Sequence, residues 1–175
     1  MTITNLGNVS YSGTEPWNVG WEFDLSAAYT VMNLGYLDTR TLGFTENHDV
    51  GIFNMAGTLL VSGTVTGADP LQNGFRWISV PATVLGPGTY IVSGTTQTEY
   101  YQYTGGTVAF DPTVTWKSGR YVAGGTLAFP NLVNPNPPFS YFGPNFGTEV
   151  PEPASLTLLG MGLLGLGVRF RARRR

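Results

Sequence analysis

From residue 17 to 25 the chain alternates strictly. Trp17, Val19, Trp21, Phe23 and Leu25 are apolar, and Asn18, Gly20, Glu22 and Asp24 fall between them. A period of two puts all five apolar side chains on one face of a strand, so that face is buried and the polar face, with Glu22 and Asp24, meets solvent. His48 to Phe53 predicts a second strand, with Val50 and Ile52 on one face. Asn54-Met55-Ala56-Gly57 has the composition of a turn, and Thr58 to Thr66 (TLLVSGTVT) returns from it as a hairpin. Phe75 to Val80 is the next strand, and Leu85-Gly86-Pro87-Gly88 turns the chain into Thr89 to Gly94. Shorter strands are predicted at Tyr100 to Tyr103, Thr107 to Phe110, Val114 to Trp116 and Tyr121 to Ala123.

No stretch before residue 154 keeps a 3.6-residue apolar period over three turns. Residues 1–129 therefore predict an all-β domain. Sheets with one apolar face bury it against another sheet, which favours an antiparallel β-sandwich of jelly-roll type, with a closed barrel as the alternative.

The pattern changes at Pro130. Seven of the chain's 12 prolines lie between Pro130 and Pro153, among Asn, Gly and aromatic residues. Proline at that density predicts a linker over residues 130–149, semi-rigid and extended at about 3 Å per residue. Phe139, Tyr141, Phe142 and Phe146 give the same segment apolar groups that can pack back on the domain.

Residues 150–175 form the third part. Ala154 to Val168 carries no charge and is rich in Leu and Gly, and Arg169, Arg171, Arg173, Arg174 and Arg175 close the chain. As a helix that stretch covers roughly 22 Å, less than the roughly 30 Å of a bilayer core. Phe170 and snorkelling arginines extend it, so residues 154–170 are expected to insert as a single C-terminal transmembrane helix. The arginines then stop translocation and stay in the cytoplasm, with the preceding body across the membrane.

Composition sharpens this division. Residues 1–148 hold four cations (Arg40, Arg76, Lys117, Arg120) against nine carboxylates, a net charge of −5, while the tail is net positive. An acidic body lacks the basic stripe that displaces counterions from nucleic acid. With no cysteine there is no disulfide framework, thiolate nucleophile or thiolate metal site, and a lone histidine cannot build a His-ligated zinc site. The expectation is a non-enzymatic protein with no cofactor, no catalytic residues and no resident metal.

Several side chains are candidates for chemistry on that background. His48, the only imidazole, lies between Asn47 and Asp49 at the start of a strand, a position that suits a hydrogen bond to loop backbone better than base catalysis. Glu22 and Asp24 are two carboxylates on one strand face, the residue types of a glycosidase pair, and are expected to be a solvated surface. Asp38, Glu46 and Asp49 bracket one loop and supply hard oxygens for calcium, without the spacing of a dedicated site. Tyr100, Tyr101, Tyr103, Trp116 and Tyr121 offer aromatic faces of the sort that stack on sugars, although strand aromatics are commonly core. Gly105-Gly106 and Gly124-Gly125 precede no helix and read as turns rather than phosphate cradles.

Two resemblances rest on specific residues. Pro151-Glu152-Pro153, a hydrophobic stretch and a terminal arginine cluster, in that order over residues 150–175, resemble the PEP-CTERM sorting signal of Gram-negative bacteria. The resemblance implies processing at or near the motif by exosortase, a membrane-embedded cysteine protease, after a transient inner-membrane anchorage. Delivery to the outer surface or extracellular matrix follows, in a biofilm and exopolysaccharide setting. The physics is compatible, because two prolines around Glu152 keep the motif out of the helix and extended for a protease to grip. Proteins of this kind begin with a secretory signal peptide, and MTITNLGNVSYSG has neither its basic nor its apolar region, so an in-frame start upstream of Met1 is expected.

The second resemblance runs from about Trp21 to Tyr90, on GWEFDLSAAYTVMNLGYLD, ENHDVGIFNMAGTLLVSGTV and NGFRWISV…LGPGTYIV. These resemble a domain of unknown function found in bacterial surface proteins. It implies a small β-sandwich and brings no catalytic residues. The functional expectation is an exported surface or matrix protein. A carbohydrate-binding module for exopolysaccharide is the alternative, and a secreted hydrolase a remote one.

Overall fold

A computed structural model describes residues 1–11, 15–39, 44–134 and 141–148. Along the chain run β1 (Thr2–Asn5), β2 (Asn8–Tyr11), β3 (Trp17–Leu25), β4 (Tyr29–Leu37) and β5 (His48–Asn54). Next come β6 (Leu59–Val65), β7 (Leu71–Gln72), β8 (Phe75–Leu85), β9 (Gly88–Thr96) and β10 (Tyr100–Thr104). The last are β11 (Thr107–Ala109), β12 (Val114–Ala123), β13 (Leu132–Val133) and β14 (Pro144–Gly147). All pairings among them are antiparallel, and no helix occurs among the described residues.

A six-stranded sheet has the order β13-β12-β3-β9-β5-β6, and a four-stranded sheet the order β14-β4-β8-β7. Two small ladders, β1-β11 and β10-β2, tie the first residues to the middle of the chain. The two larger sheets share one core, with Trp21, Phe23, Val50, Ile52 and Val92 from the first and Val31, Leu34, Tyr36 and Phe146 from the second. The apolar positions of β3 face inward as their spacing predicts.

Trp21 is the centre of that core and is fully buried. Its ring stacks on Phe146 at 5.5 Å and meets Phe142 edge-on at 5.7 Å. A ring of this size buries roughly 150–250 Å², about 4–6 kcal/mol at about 25 cal/mol per Å². A buried indole N–H also needs an acceptor, and the Pro144 carbonyl supplies one at 2.9 Å.

The residues that satisfy Trp21 come from the proline-rich segment. Pro144–Gly147 is a strand on the edge of β4, Leu132–Val133 pairs with β12, and Phe142 and Phe146 are buried. Where described, this segment is therefore part of the packed body and does not extend from it. Its central residues, 135–140, lie outside the described residues, as does the whole tail from 149 onward, including the expected helix.

Bulges account for where the observed strands differ from the alternating pattern. A register shift between Val31 and Asn33 moves β4 from Tyr29 and Val31 inward to Leu34 and Tyr36 inward, which hides its period. Lys117 sits at a similar shift, so Val114 to Trp116 and Tyr121 to Ala123 are two ends of one strand, β12. Phe75 to Val80 continues to Leu85 because Pro81 falls in the unpaired gap between Ser79 and Thr83, where its missing N–H costs no ladder bond.

Candidate functional site

The polar face of β3 is less solvated than its sequence suggests. Asn18 is fully buried and Glu22 nearly so. Asn18 is covered because the chain leaving β12 crosses over it: its Nδ2 donates to the carbonyls of Gly124 and Thr126, both at 2.9 Å, and its Oδ1 accepts from the Ala128 N–H at 2.9 Å. Farther along the crossing, Ser93 donates to the Ala128 carbonyl and Phe129 packs on Phe53.

Glu22 is buried for a different reason. Its Oε2 accepts from Arg120 Nε at 2.8 Å, from a second Arg120 nitrogen, and from the Ser118 hydroxyl at 3.2 Å. Lys117 lies 3.8 Å from the other Glu22 oxygen and 3.2 Å from Asp24. Glu22 is thus an ion-paired, buried carboxylate and not the solvated one expected, while Asp24 remains open to water with 43% of its side-chain surface exposed. A hydrogen bond from Thr89, with help from Lys117, holds the Asp24 carboxyl below the usual carboxylate range. Asp24 thus lacks the apolar surroundings that would keep a general acid protonated at neutral pH.

His48 is buried at the end of β5. Its ring stacks on Tyr36 with centroids 3.7 Å apart and planes 2° from parallel, and Phe44 meets it edge-on at 4.6 Å. Nδ1 lies 2.7 Å from the Thr95 carbonyl, so the ring does bond backbone, though on strand β9 and not on a loop. Nε2 is buried with no hydrogen-bond partner, so no hydroxyl is held for activation. Burial pushes the His48 pKa down, against the pull of the Thr95 carbonyl and of Glu46, Glu99 and Asp49.

The three loop carboxylates go to separate partners. Asp38 pairs with Arg76 Nε at 2.8 Å, and Asp49 accepts from the Thr64 hydroxyl at 2.7 Å. Glu46 Oε1 accepts the backbone N–H groups of Gln97, Thr98 and Glu99 at 2.9–3.0 Å. Burial opposes the charge on Glu46, but those three donors outweigh it and hold the carboxyl below its ordinary range. Among the described residues no group of three or more His, Cys, Asp or Glu is placed to hold a metal ion.

The tyrosines do gather. Tyr101, Tyr103 and Tyr121 each lie 5.6–5.8 Å from Tyr141, and Trp17 lies 5.9 Å from Tyr121. Trp116 is elsewhere, packed against the core. Tyr141, the hub, has a φ of 47°, in the left-handed region that side chains other than glycine seldom adopt. Tyr141 packs back on the domain as its aromatic character allows, but its place at the hub of the tyrosines is not legible in a proline-rich stretch, and an asparagine on a polar strand face such as Asn18 carries no signal of what will cover it.

Pro151, Glu152, Pro153 and the five terminal arginines lie outside the described residues. Among the described residues no helix is long and apolar enough to cross a membrane. Residues 149–175 match the PEP-CTERM protein-sorting motif, which is the substrate signal for exosortase and marks a protein exported to the cell surface or extracellular space. Searches against curated proteins and solved structures return no match. A second family match spans residues 4–140, well beyond the Trp21–Tyr90 stretch in which the resemblance was first legible, and takes in every strand from β3 to β13. The body of the chain belongs to the family described as domain of unknown function DUF4082, and a PEP-CTERM sorting motif follows it at residues 149–175.

Proposed function

We propose that the chain is a non-catalytic surface or matrix protein of a Gram-negative bacterium. Its body is a jelly-roll-like β-sandwich delivered by the tail. Residues 154–170 hold it transiently in the inner membrane with the arginines on the cytoplasmic side, and exosortase processing at or near Pro151-Glu152-Pro153 releases it to the outer surface or an exopolysaccharide matrix. The observation that carries this reading is the sorting motif at residues 149–175, immediately behind a body whose last strand among the described residues ends at Gly147. Covalent geometry supports a close coupling of the two, because four residues from Gly147 to Pro151 reach at most about 14 Å. The arrested tail therefore holds the folded body close to the membrane until processing. The paired and hydrogen-bonded state of Glu22, Asp24, Asp38, Glu46 and Asp49 supports a structural use for these carboxylates.

The test replaces Pro151-Glu152-Pro153 with three alanines in the producing organism and follows protein size and location by immunoblotting of cell fractions. The expected result is a larger, membrane-retained species. Unchanged processing and release would overturn the reading.

A further inference from the structure

A cavity of about 290 Å³ opens where the four-stranded sheet, at the edge of the core, meets the N-terminal ladder β1-β11. It is near the lower end of the size range of small-molecule sites. Among the groups around it are Trp77, Tyr29, Asn33, Gln72, Asn73 and Asp111. Two glycines in the ladder let Trp77 and Asn33, which line it, lie against bare backbone. Gly35 pairs with Trp77, and a Cβ there would lie 2.7–2.9 Å from three indole carbons, so the ring lies across bare backbone. The Trp77 N–H donates to the Gln72 carbonyl at 3.1 Å and sets the plane of the ring. Gly147 pairs with Asn33, and a Cβ at 147 would come within 2.5 Å of Asn33 Oδ1.

Asn33 itself is unusual. It is only 3% exposed, and its Oδ1 is buried without a hydrogen-bond partner. A buried amide oxygen left unpaired costs about 1–3 kcal/mol, a cost that a ligand hydroxyl removes by donating to it. The terminal torsion of asparagine is soft, so a small rotation presents either end of the amide to the cavity.

We propose that this cavity binds a neutral sugar or a polyol of similar size, with the ligand ring against Trp77 and its hydroxyls on Asn33, Gln72 and Asn73. The residue types select for that class. Amides donate and accept, as hydroxyl groups do, and an indole offers an apolar face to the C–H side of a pyranose. No Lys or Arg side chain lines the cavity; Asp111 is its one carboxylate, and the Met1 α-amino group, whose charge burial disfavours, faces it. Hydrogen bonds from the Thr113 hydroxyl and N–H keep Asp111 ionised, so it accepts from hydroxyls and offsets the charge of the neighbouring Met1 α-amino group, leaving no net positive charge to draw an anion. The site is separate from the tyrosine cluster at Tyr141 and is independent of the sorting reading, since it needs nothing from residues 149–175.

The test is saturation-transfer NMR on the full chain in a zwitterionic detergent that has no sugar head group. Glucose, galactose, mannose and N-acetylglucosamine are each offered at about 10 mM, a concentration that detects a millimolar Kd, with glucuronate as the anionic comparator. At least one neutral sugar is expected to show transfer and glucuronate none. Trp77→Ala and Gln72→Ala should each reduce the signal at least about fivefold, in line with the loss of an aromatic or hydrogen-bonding contact. Tyr103→Ala should leave it unchanged. Gln72 is exposed, so its variant decides the matter even where Trp77→Ala fails to fold. Absence of transfer from every neutral sugar, a signal undiminished in Gln72→Ala, or a loss caused by Tyr103→Ala would overturn the proposal.

Discussion

His48 Nδ1 lies 2.7 Å from the Thr95 carbonyl oxygen, while Nε2 of the same ring is buried with no partner. The ring serves the fold in its neutral form, and burial holds its pKa below the ordinary value. Below the unfolded value of about 6.5 the unfolded chain takes up a proton that the folded chain refuses. Stability is therefore expected to fall as pH drops from about 7 to 5, by up to about 1.4 kcal/mol per pH unit. Glu46, Glu99 and Asp49 face the ring and soften the effect without reversing it. Glu46, whose folded pKa is lowered, loses its own contribution only at more acid pH. His48→Phe keeps a ring on Tyr36 and leaves the Thr95 carbonyl unpaired, which costs about 1–2 kcal/mol independently of pH. Melting temperatures of the two proteins between pH 7 and 5 check this: equal slopes would show that His48 does not set the dependence.

Asn18 joins the crossing segment to β3 through three hydrogen bonds. Asn18→Ala leaves two carbonyls and one N–H without their partner in a part-buried setting, and a loss of about 2–4 kcal/mol is expected. Asn18→Asp is the sharper variant. Its carboxylate still accepts from Ala128, but it faces the Gly124 and Thr126 carbonyls with no donor to offer them. Urea unfolding should rank wild type above Asn18→Asp at pH 7, and lowering the pH to 4 should narrow the gap by protonating the introduced carboxyl.

Two glycines separate close packing from open turn. A Cβ at Gly20 would lie 1.9 Å from the Val92 carbonyl oxygen, a backbone atom that cannot move aside without parting β3 from β9. Gly20→Ala is expected to cost about 3 kcal/mol or more. At Gly86 nothing lies within 4 Å, and Pro87 already restricts that residue to extended backbone. Gly86→Ala should be neutral or stabilising by up to about 1 kcal/mol, through the unfolded state. Thermal melting distinguishes them, and comparable losses would contradict the close approach of β3 and β9.

The parts of the fold legible in the sequence are those where the period of two is clear, as in β3 and β5, or where a Gly-Pro turn announces the strand, as before β9. β4 was invisible because its bulge changes the parity of the pattern at Asn33, and β12 was read as two pieces because Lys117 does the same. β14 was hidden by a different effect. Pro144, Asn145 and Gly147 have low strand propensity, and what makes them a strand is tertiary: the Trp21 indole, its stack on Phe146 and the open edge of β4. The cleft beside Asn33 depends on glycines facing side chains across a ladder, which is a matter of register and leaves no trace in local composition. The tail is the converse case, because its information is linear: a motif, an apolar run and a basic terminus can be read without a fold.

Glu22 and Arg120 give the last prediction, which rests on an asymmetry in what surrounds them. Glu22 has two partners besides Arg120: the Ser118 hydroxyl at 3.2 Å and Lys117 at 3.8 Å. Arg120 makes its ion pair with Glu22, and its side chain is only 13% exposed. Glu22→Leu therefore leaves a largely buried guanidinium without its counter-charge and is expected to cost about 3 kcal/mol, the lower end for breaking a buried pair. Arg120→Met leaves Glu22 with Ser118 and Lys117 and keeps much of the aliphatic packing, so about 1–2 kcal/mol is expected. The double variant, which removes both charges together, should cost less than the sum of the two, because neither is then left behind. Urea midpoints for the four proteins at low and high salt complete the cycle. Because the pair is shielded from solvent, its coupling energy should change little with salt, whereas the more exposed contact of Lys117 with Asp24 should weaken. Equal costs for the two single variants, or a coupling energy abolished by salt, would place the pair on the solvated surface that the alternation of β3 alone implies.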